Sequence, residues 1–229
     1  MAERTVRLNI KRQDNPHSKP YWEEFELPWR PGMNVISGLM DIAINPVDRG
    51  KQTMPIAYDS NCLEEVWGSC AMRINDRAAM ACSSLIDKLE QPIRLEPLSR
   101  FPVVRDLAID RSVLFENLQQ VQAWVPVDGT YDLGAGPRDS AVQEQAYPLS
   151  RCMSCCLCME VCPQFTEPTR FVGAAIINQV RLFNLHPTGA HLRRERLAAM
   201  MSDGGIHECS YAQNCVQICP HPSPLFMAK

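Results

Sequence analysis

Arg151-Cys152-Met153-Ser154-Cys155-Cys156-Leu157-Cys158-Met159-Glu160-Val161-Cys162-Pro163 is the stretch that decides how this chain folds. Its spacing, Cys152-x2-Cys155-x2-Cys158-x3-Cys162-Pro163, is the bacterial ferredoxin run, in which three thiolates on a tight loop each hold one corner of a cubane iron-sulfur cluster. In such a run the fourth cysteine, followed by proline, ligates a different cluster, so a second cysteine group is required. Cys209-x5-Cys215-x3-Cys219-Pro220 supplies it, with Ala212 standing where the x2 spacing would put a thiolate.

The ligand count then assigns two clusters. Cys152, Cys155, Cys158 and, by exchange, Cys219 give four thiolates and a 4Fe-4S centre. Cys162, Cys209 and Cys215 give three, and because alanine cannot ligate iron this second site is expected to hold a 3Fe-4S cluster. A zinc ribbon also uses CxxC pairs, but it needs two separated pairs rather than a run of four ending in proline. Cys156 lies inside the run, where Cys155 already satisfies the spacing, and reads as a small buried thiol beside the cluster.

A third group lies upstream. A plant-type 2Fe-2S loop is Cys-x4-Cys-x2-Cys with a distant fourth cysteine, and Cys62, Cys70 and Cys82 fit it except that Trp67 occupies the second ligand position. An indole has no lone pair to offer iron. Either an oxygen donor among Asp59, Ser60, Glu64, Glu65 and Ser69 replaces the missing thiolate, or the 2Fe-2S cluster is impaired or missing; impaired binding is the expectation.

Working outward, the upstream segment alternates polar and apolar residues over Thr5–Ile10 and again over Tyr21–Leu27, which predicts a hairpin. Asn34 caps a predicted helix through Ile44 that Pro46 closes; Ala71–Ile74 and Ala78–Met80 flank Asn75-Asp76 as a second hairpin, and Ile93–Leu95 is a further strand. Strands around one helix imply a small mixed sheet. From Arg111 the spacing turns helical, with Val113, Leu114, Leu118, Val121 and Trp124 on one side. A loop from Asp128 to Ser140 leads to the second cysteine group, and Phe171–Phe183 and Leu192–Met201 read as helices separated by Pro187-Thr188-Gly189.

Composition limits the remaining possibilities. With 229 residues, 45% of them apolar, the chain can bury the cores of two domains. A net charge of -3 and no Lys/Arg-rich run argue against nucleic acid as a partner. Eleven cysteines after a start, Met1-Ala2-Glu3-Arg4, without the apolar stretch of a secretion signal argue for metal ligation rather than disulfides. No stretch approaches the roughly eighteen apolar residues of a membrane span.

Together these residues resemble one family, the iron-sulfur subunit of succinate dehydrogenase and fumarate reductase, most closely its Gram-positive bacterial form. Ser60-Asn61-Cys62-Leu63-Glu64-Glu65-Val66, Phe101-Pro102-Val103-Val104-Arg105-Asp106-Leu107, Asp128-Gly129-Thr130-Tyr131-Asp132-Leu133-Gly134, Val180-Arg181-Leu182-Phe183-Asn184 with His186-Pro187-Thr188-Gly189, and Ala212-Gln213-Asn214-Cys215-Val216 carry the likeness over nearly the whole chain. The resemblance implies an α+β protein. A plant-ferredoxin-like β-grasp domain over residues 1–108 carries the 2Fe-2S site, and an all-α bacterial-ferredoxin-like domain over residues 109–229 carries the 4Fe-4S and 3Fe-4S sites. It further implies an electron relay without acid or base catalysts of its own, running from an FAD-containing flavoprotein subunit to a quinone, expected to be menaquinone. A membrane anchor of cytochrome b type would hold that quinone, placing the chain peripherally at the cytoplasmic face of the membrane.

The sequence departs from the family at several points. Trp67 replaces a ligand, Cys156 stands where glycine is usual, Ser210-Tyr211 follow Cys209, and the tail from His221 to Lys229 is short. Pro163 fits the family's quinone region, whereas Gln164 and Phe165 do not match ubiquinone-reducing members. His186 and His207 read as ordinary surface or capping residues rather than proton carriers. Alternative readings are a fumarate reductase subunit running the relay in reverse and a non-catalytic structural paralogue with an impaired first site.

Overall fold

A computed structural model describes residues 4–125 and 139–221. The chain divides into two compact units, Met1–Arg111 and Ser112–Lys229.

The first unit is built on the strand β1 (Thr5–Arg12), whose alternation buries Val6, Leu8 and Ile10 completely. β1 pairs antiparallel with β2 (Tyr21–Pro28), Leu8 facing Phe25, and parallel with a later strand at Ile93–Glu96. Between them come the helix α1 (Val35–Ile44), a two-residue ribbon of β3 (Val47–Asp48) and β4 (Lys51–Gln52), and the hairpin of β5 (Ala71–Ile74) and β6 (Arg77–Met80). With Ile93–Glu96 as β7, the sheet order is β2-β1-β7-β5-β6, and a small ribbon of β8 (Val103–Arg105) and β9 (Ala108–Ile109) closes the unit. This is the expected mixed sheet with a helix laid on it. α1 packs so closely that a Cβ added at Gly38 would come within 3.1 Å of Leu8 Cδ1.

Local chemistry fixes these elements. Asn34 accepts from Ser37 N at 2.8 Å while the Ser37 hydroxyl reaches back to the cap, a reciprocal capping box. The β5–β6 turn places Asn75 (φ 46) and Asp76 (φ 65) in the left-handed region, the geometry that matches strand twist in a two-residue hairpin. The alternation of β1 runs one step further than the sequence suggested and buries Arg12, whose Nε donates to Asp106 Oδ1 at 2.9 Å and which also pairs with Glu23. Asp106 in turn accepts from Gln13 N at 3.1 Å and Ala57 N at 2.9 Å, anchoring the chain just before the first cysteine loop.

The second unit is helical: α2 (Ser112–Gln120), α3 (Ser140–Ser150), α4 (Leu157–Glu160), α5 (Ala174–Leu185), α6 (Arg193–Met200) and α7 (Asn214–Ile218). α2 stops before Val121 and Trp124, because Gln122 turns left-handed (φ 52); the expectation that both lie on its face is corrected. Of the anticipated loop, residues 128–138 lie outside the described residues, and Asp139 caps α3, a helix the sequence reading did not foresee. α5 begins at Ala174 rather than Phe171, after Gly173 at φ 94. Arg196, fully buried, donates to the carbonyls of Gln122 (2.9 Å) and Trp124 (2.8 Å), to Gly189 O and to Asn184 Oδ1 (3.0 Å), joining the ends of α2, α5 and α6.

Candidate iron-sulfur sites

The cysteine groups of the second unit share one local design. Before α4, Ser154 (φ 54) and Cys156 (φ 67) turn the backbone left-handed; before α7, Tyr211 (φ 56) and Gln213 (φ 61) do the same at the matching positions. Cys156 and Gln213 are the residues from which the two helices start, and each holds a positive φ of the kind that favours glycine. Cys156 is buried, with Sγ 3.5 Å from Ser154 O.

Around these helices lie two concave spaces. One, about 460 Å³ including its open side, is lined by Cys152, Cys155, Cys158 and Cys219, together with Cys156 and Asn178. The other, about 300 Å³, is lined by Cys162, Cys209 and Cys215, with Ala212 and Pro163. Cys158 and Cys162, at either end of α4, thus face different spaces, and so do Cys215 and Cys219 at either end of α7.

Burial pushes the Cys155 thiol up to about 12 and the Cys158 thiol well up, and neighbouring cysteines push in the same direction. Burial likewise raises Cys215, with Cys162 and Cys209 adding to it. Sulfurs so crowded and desolvated give up their protons only to a strongly positive group, as iron would be. Among the described residues, no three Cys, His, Asp or Glu side chains converge as a single-ion site. Thiols spaced around an open volume suit a multi-iron cluster better than one zinc ion.

The first unit carries Cys62, Cys70 and Cys82. Cys62 Sγ accepts from the amides of Val66 (3.2 Å) and Trp67 (3.3 Å), and these amides, with that of Glu64 foremost, hold its thiol below the ordinary range. Cys82 is pushed up to about 11 by burial and then by a hydrogen bond with Cys70, so these two sulfurs lie side by side. Leu63 (φ 62), Glu65 (φ 57) and Gly68 (φ 71) fold the loop tightly, and Trp67 turns its indole outward, 60% exposed. At the second ligand position the site therefore offers an amide to sulfur but no donor atom to iron.

Several residues that position these sites escaped the sequence reading. Arg111 donates to Gly68 O (3.1 Å) and Ser69 O (2.8 Å), clamping the stretch between Trp67 and Cys70. Asn34 Nδ2 donates to Cys82 O at 2.9 Å, tying the α1 cap to that cysteine. Asn178, fully buried, donates to Leu149 O at 2.8 Å and lines the larger space; an Asn directly after the apolar run Ala174–Ile177 was the available signal. His221 also lines that space, its Nδ1 2.9 Å from Arg151 Nη2. His186 accepts from Gly189 N at 3.1 Å, and His207 lies 3.0 Å from Met201 O, local contacts of capping type.

Comparison with known proteins places this architecture. A family model described as a 2Fe-2S iron-sulfur cluster binding domain matches residues 7–116. The succinate dehydrogenase iron-sulfur subunit of Bacillus subtilis (strain 168) is 54% identical over 225 residues, covering 97% of this chain and 89% of that one. The fumarate reductase iron-sulfur subunit of Escherichia coli O6:H1 is 28% identical over 221 residues, 96% of this chain and 86% of that one. A chain of the solved Mycobacterium smegmatis Sdh1 complex in the apo form shares the fold, with a TM-score of 0.76 at 20% identity over 98% of this chain and 91% of that one. Fold and thiol pattern define an iron-sulfur protein of two ferredoxin-like parts. The chain belongs to the family of iron-sulfur subunits of succinate dehydrogenase and fumarate reductase.

Proposed function

We propose that this chain is the electron-relay subunit of a succinate:quinone oxidoreductase. Cys62, Cys70 and Cys82 would hold a 2Fe-2S cluster, Cys152, Cys155, Cys158 and Cys219 a 4Fe-4S cluster, and Cys162, Cys209 and Cys215 a 3Fe-4S cluster. Bound there, the clusters supply one-electron redox chemistry between the flavin of a partner subunit and a quinone, menaquinone on this reading, held by a cytochrome b type anchor. The observation that carries the proposal is the sorting of seven thiols into a set of four and a set of three around two separate spaces.

The protein's own part is to hold and tune. Partial burial of Cys155 and Cys158 desolvates their sulfurs, and amides at Cys62 stabilise its thiolate; burial and hydrogen bonds to sulfur are the levers that set cluster potential. No group in this arrangement is assigned a role as catalytic acid, base or nucleophile. No helix among the described residues is long and apolar enough to cross a membrane, so the proposed place at the cytoplasmic face depends on the anchor. The 54% identity to a succinate dehydrogenase iron-sulfur subunit supports the succinate-oxidising reading.

Trp67 supports a second reading, in which the first site is impaired and the chain is a structural paralogue. Purification of the complex decides between them. Co-elution with a flavoprotein and a haem-bearing membrane subunit, with succinate-driven quinone reduction, is expected. A complex that assembles but passes no electrons from succinate to quinone would refute the relay and leave the structural paralogue.

A further inference from the structure

The first site lacks a donor at Trp67, yet its loop brings a different side chain to the sulfurs. Successive amides alternate between two ligands: those of Glu64, Val66 and Trp67 point to Cys62 Sγ, whereas that of Glu65 points to Cys82 Sγ. Residue 65 therefore sits where the loop passes from one ligand to the other. A two-iron cluster held by Cys62 and the adjacent pair Cys70 and Cys82 would have residue 65 between its ligands.

The Glu65 side chain stays at the site. Its carboxylate accepts a hydrogen bond from the Ser83 hydroxyl, next to Cys82, and acts electrostatically on the Cys82 sulfur. Ligating carboxylates are characteristically oriented by such outer hydrogen bonds. Of the other nearby oxygen donors, Asp59, Ser60 and Glu64 are exposed, and Ser69 offers a neutral hydroxyl where Glu65 offers a carboxylate. Trp67, turned outward, leaves the inner side of the loop to its neighbours.

We infer that Glu65 supplies the fourth ligand of the 2Fe-2S site, a carboxylate oxygen in place of the thiolate that Trp67 removes. This rests on the three-cluster reading proposed above, and it turns an apparently broken site into a mixed sulfur–oxygen one. A two-iron cluster with three thiolates and one carboxylate keeps four protein donors, two to each iron, so the cluster is retained with altered electronic properties.

The test uses the full chain purified anaerobically, with iron and sulfide analysis, paramagnetic resonance before and after dithionite, and Mössbauer spectra. The parent is expected to hold about nine irons, with a reduced 2Fe-2S signal and two unlike ferric sites in the oxidised cluster. Glu65→Gln should lose about two irons and that signal while the 4Fe-4S and 3Fe-4S signals persist. Glu65→Gln combined with Trp67→Cys should regain both, now with two similar ferric sites, because a thiolate no longer needs the carboxylate. A parent lacking the 2Fe-2S signal overturns the inference, as does a Glu65→Gln protein that keeps it unchanged. Failure of the double variant to recover it would overturn it too, by showing that Glu65 is needed for the loop and not for iron. A Glu65-dependent 2Fe-2S signal without the other two clusters would uphold Glu65 and refute the three-cluster reading.

Discussion

Replacing Cys219 and Cys162 separately with alanine tests the crossed arrangement of the second unit. Cys219 lines the space of Cys152, Cys155 and Cys158, far from it in sequence, whereas Cys162, only four residues after Cys158, lines the other. In Cys219→Ala the first space keeps three thiols, so about one iron of about nine should be lost and the reduced 4Fe-4S signal replaced by a three-iron type. The original 3Fe-4S signal should be unchanged. In Cys162→Ala the second space keeps only Cys209 and Cys215, too few for a three-iron cluster, and about three irons should go with the oxidised 3Fe-4S signal while the 4Fe-4S signal persists. Iron analysis and paramagnetic resonance on the two purified variants, as isolated and after dithionite, give the answer. A Cys162→Ala protein that loses the 4Fe-4S signal and keeps the 3Fe-4S one would refute the crossed assignment, since each run would then serve its own cluster.

Asp106→Ala leaves buried Arg12 with Glu23 as its remaining carboxylate and strips an acceptor from Gln13 N and Ala57 N; a loss of about 3–5 kcal/mol is expected in chemical denaturation, and a change below about 1 kcal/mol would argue against the ion pair as an anchor. Arg196→Met removes a charged donor from three carbonyls, each such bond contributing about 1.5–3 kcal/mol, so unfolding of the second unit, followed by near-ultraviolet circular dichroism, should shift by at least about 3 kcal/mol. Arg111→Ala frees the carbonyls of Gly68 and Ser69 and should lower 2Fe-2S content while the 4Fe-4S and 3Fe-4S signals stay at parental intensity.

The strands and α1 were legible because one face of each is buried and the period of that face is short and local. The hairpin at Asn75-Asp76 and the cap at Asn34 add turn and end chemistry that depends on the residue itself. Where the reading failed, tertiary contacts decided. Trp124 has the spacing of a helical face, but its carbonyl accepts from Arg196, a residue of another helix, and the chain leaves the helix to make that bond. α3 was hidden by Pro148, which reads as a breaker although it lies near the end of the helix, and by the turn-rich residues before Asp139. The cysteine groups could be read because ligand spacing is itself local. The clamps on them, Arg111 and Asn34, could not be read, since each reaches a carbonyl distant in sequence and carbonyls leave no mark on residue identity.

The helices α4 and α7 explain how two sites can be held at one separation without a large scaffold. In each, a cysteine of the first turn lines one space and a cysteine at or just past the C-terminal end, four residues on, lines the other. Altering the separation of the spaces would mean stretching a hydrogen-bonded turn in both helices at once, so their spacing is fixed by these two short helices rather than by loop packing. The first site has no such device. Its sulfurs are held by amides of a loop with exposed Leu63, Val66 and Trp67, clamped from outside by Arg111. A ligand change there, as at Trp67, stays within that loop, whereas the equivalent change at Cys158 or Cys215 would remove a donor from the very turns that set the distance between the other two sites.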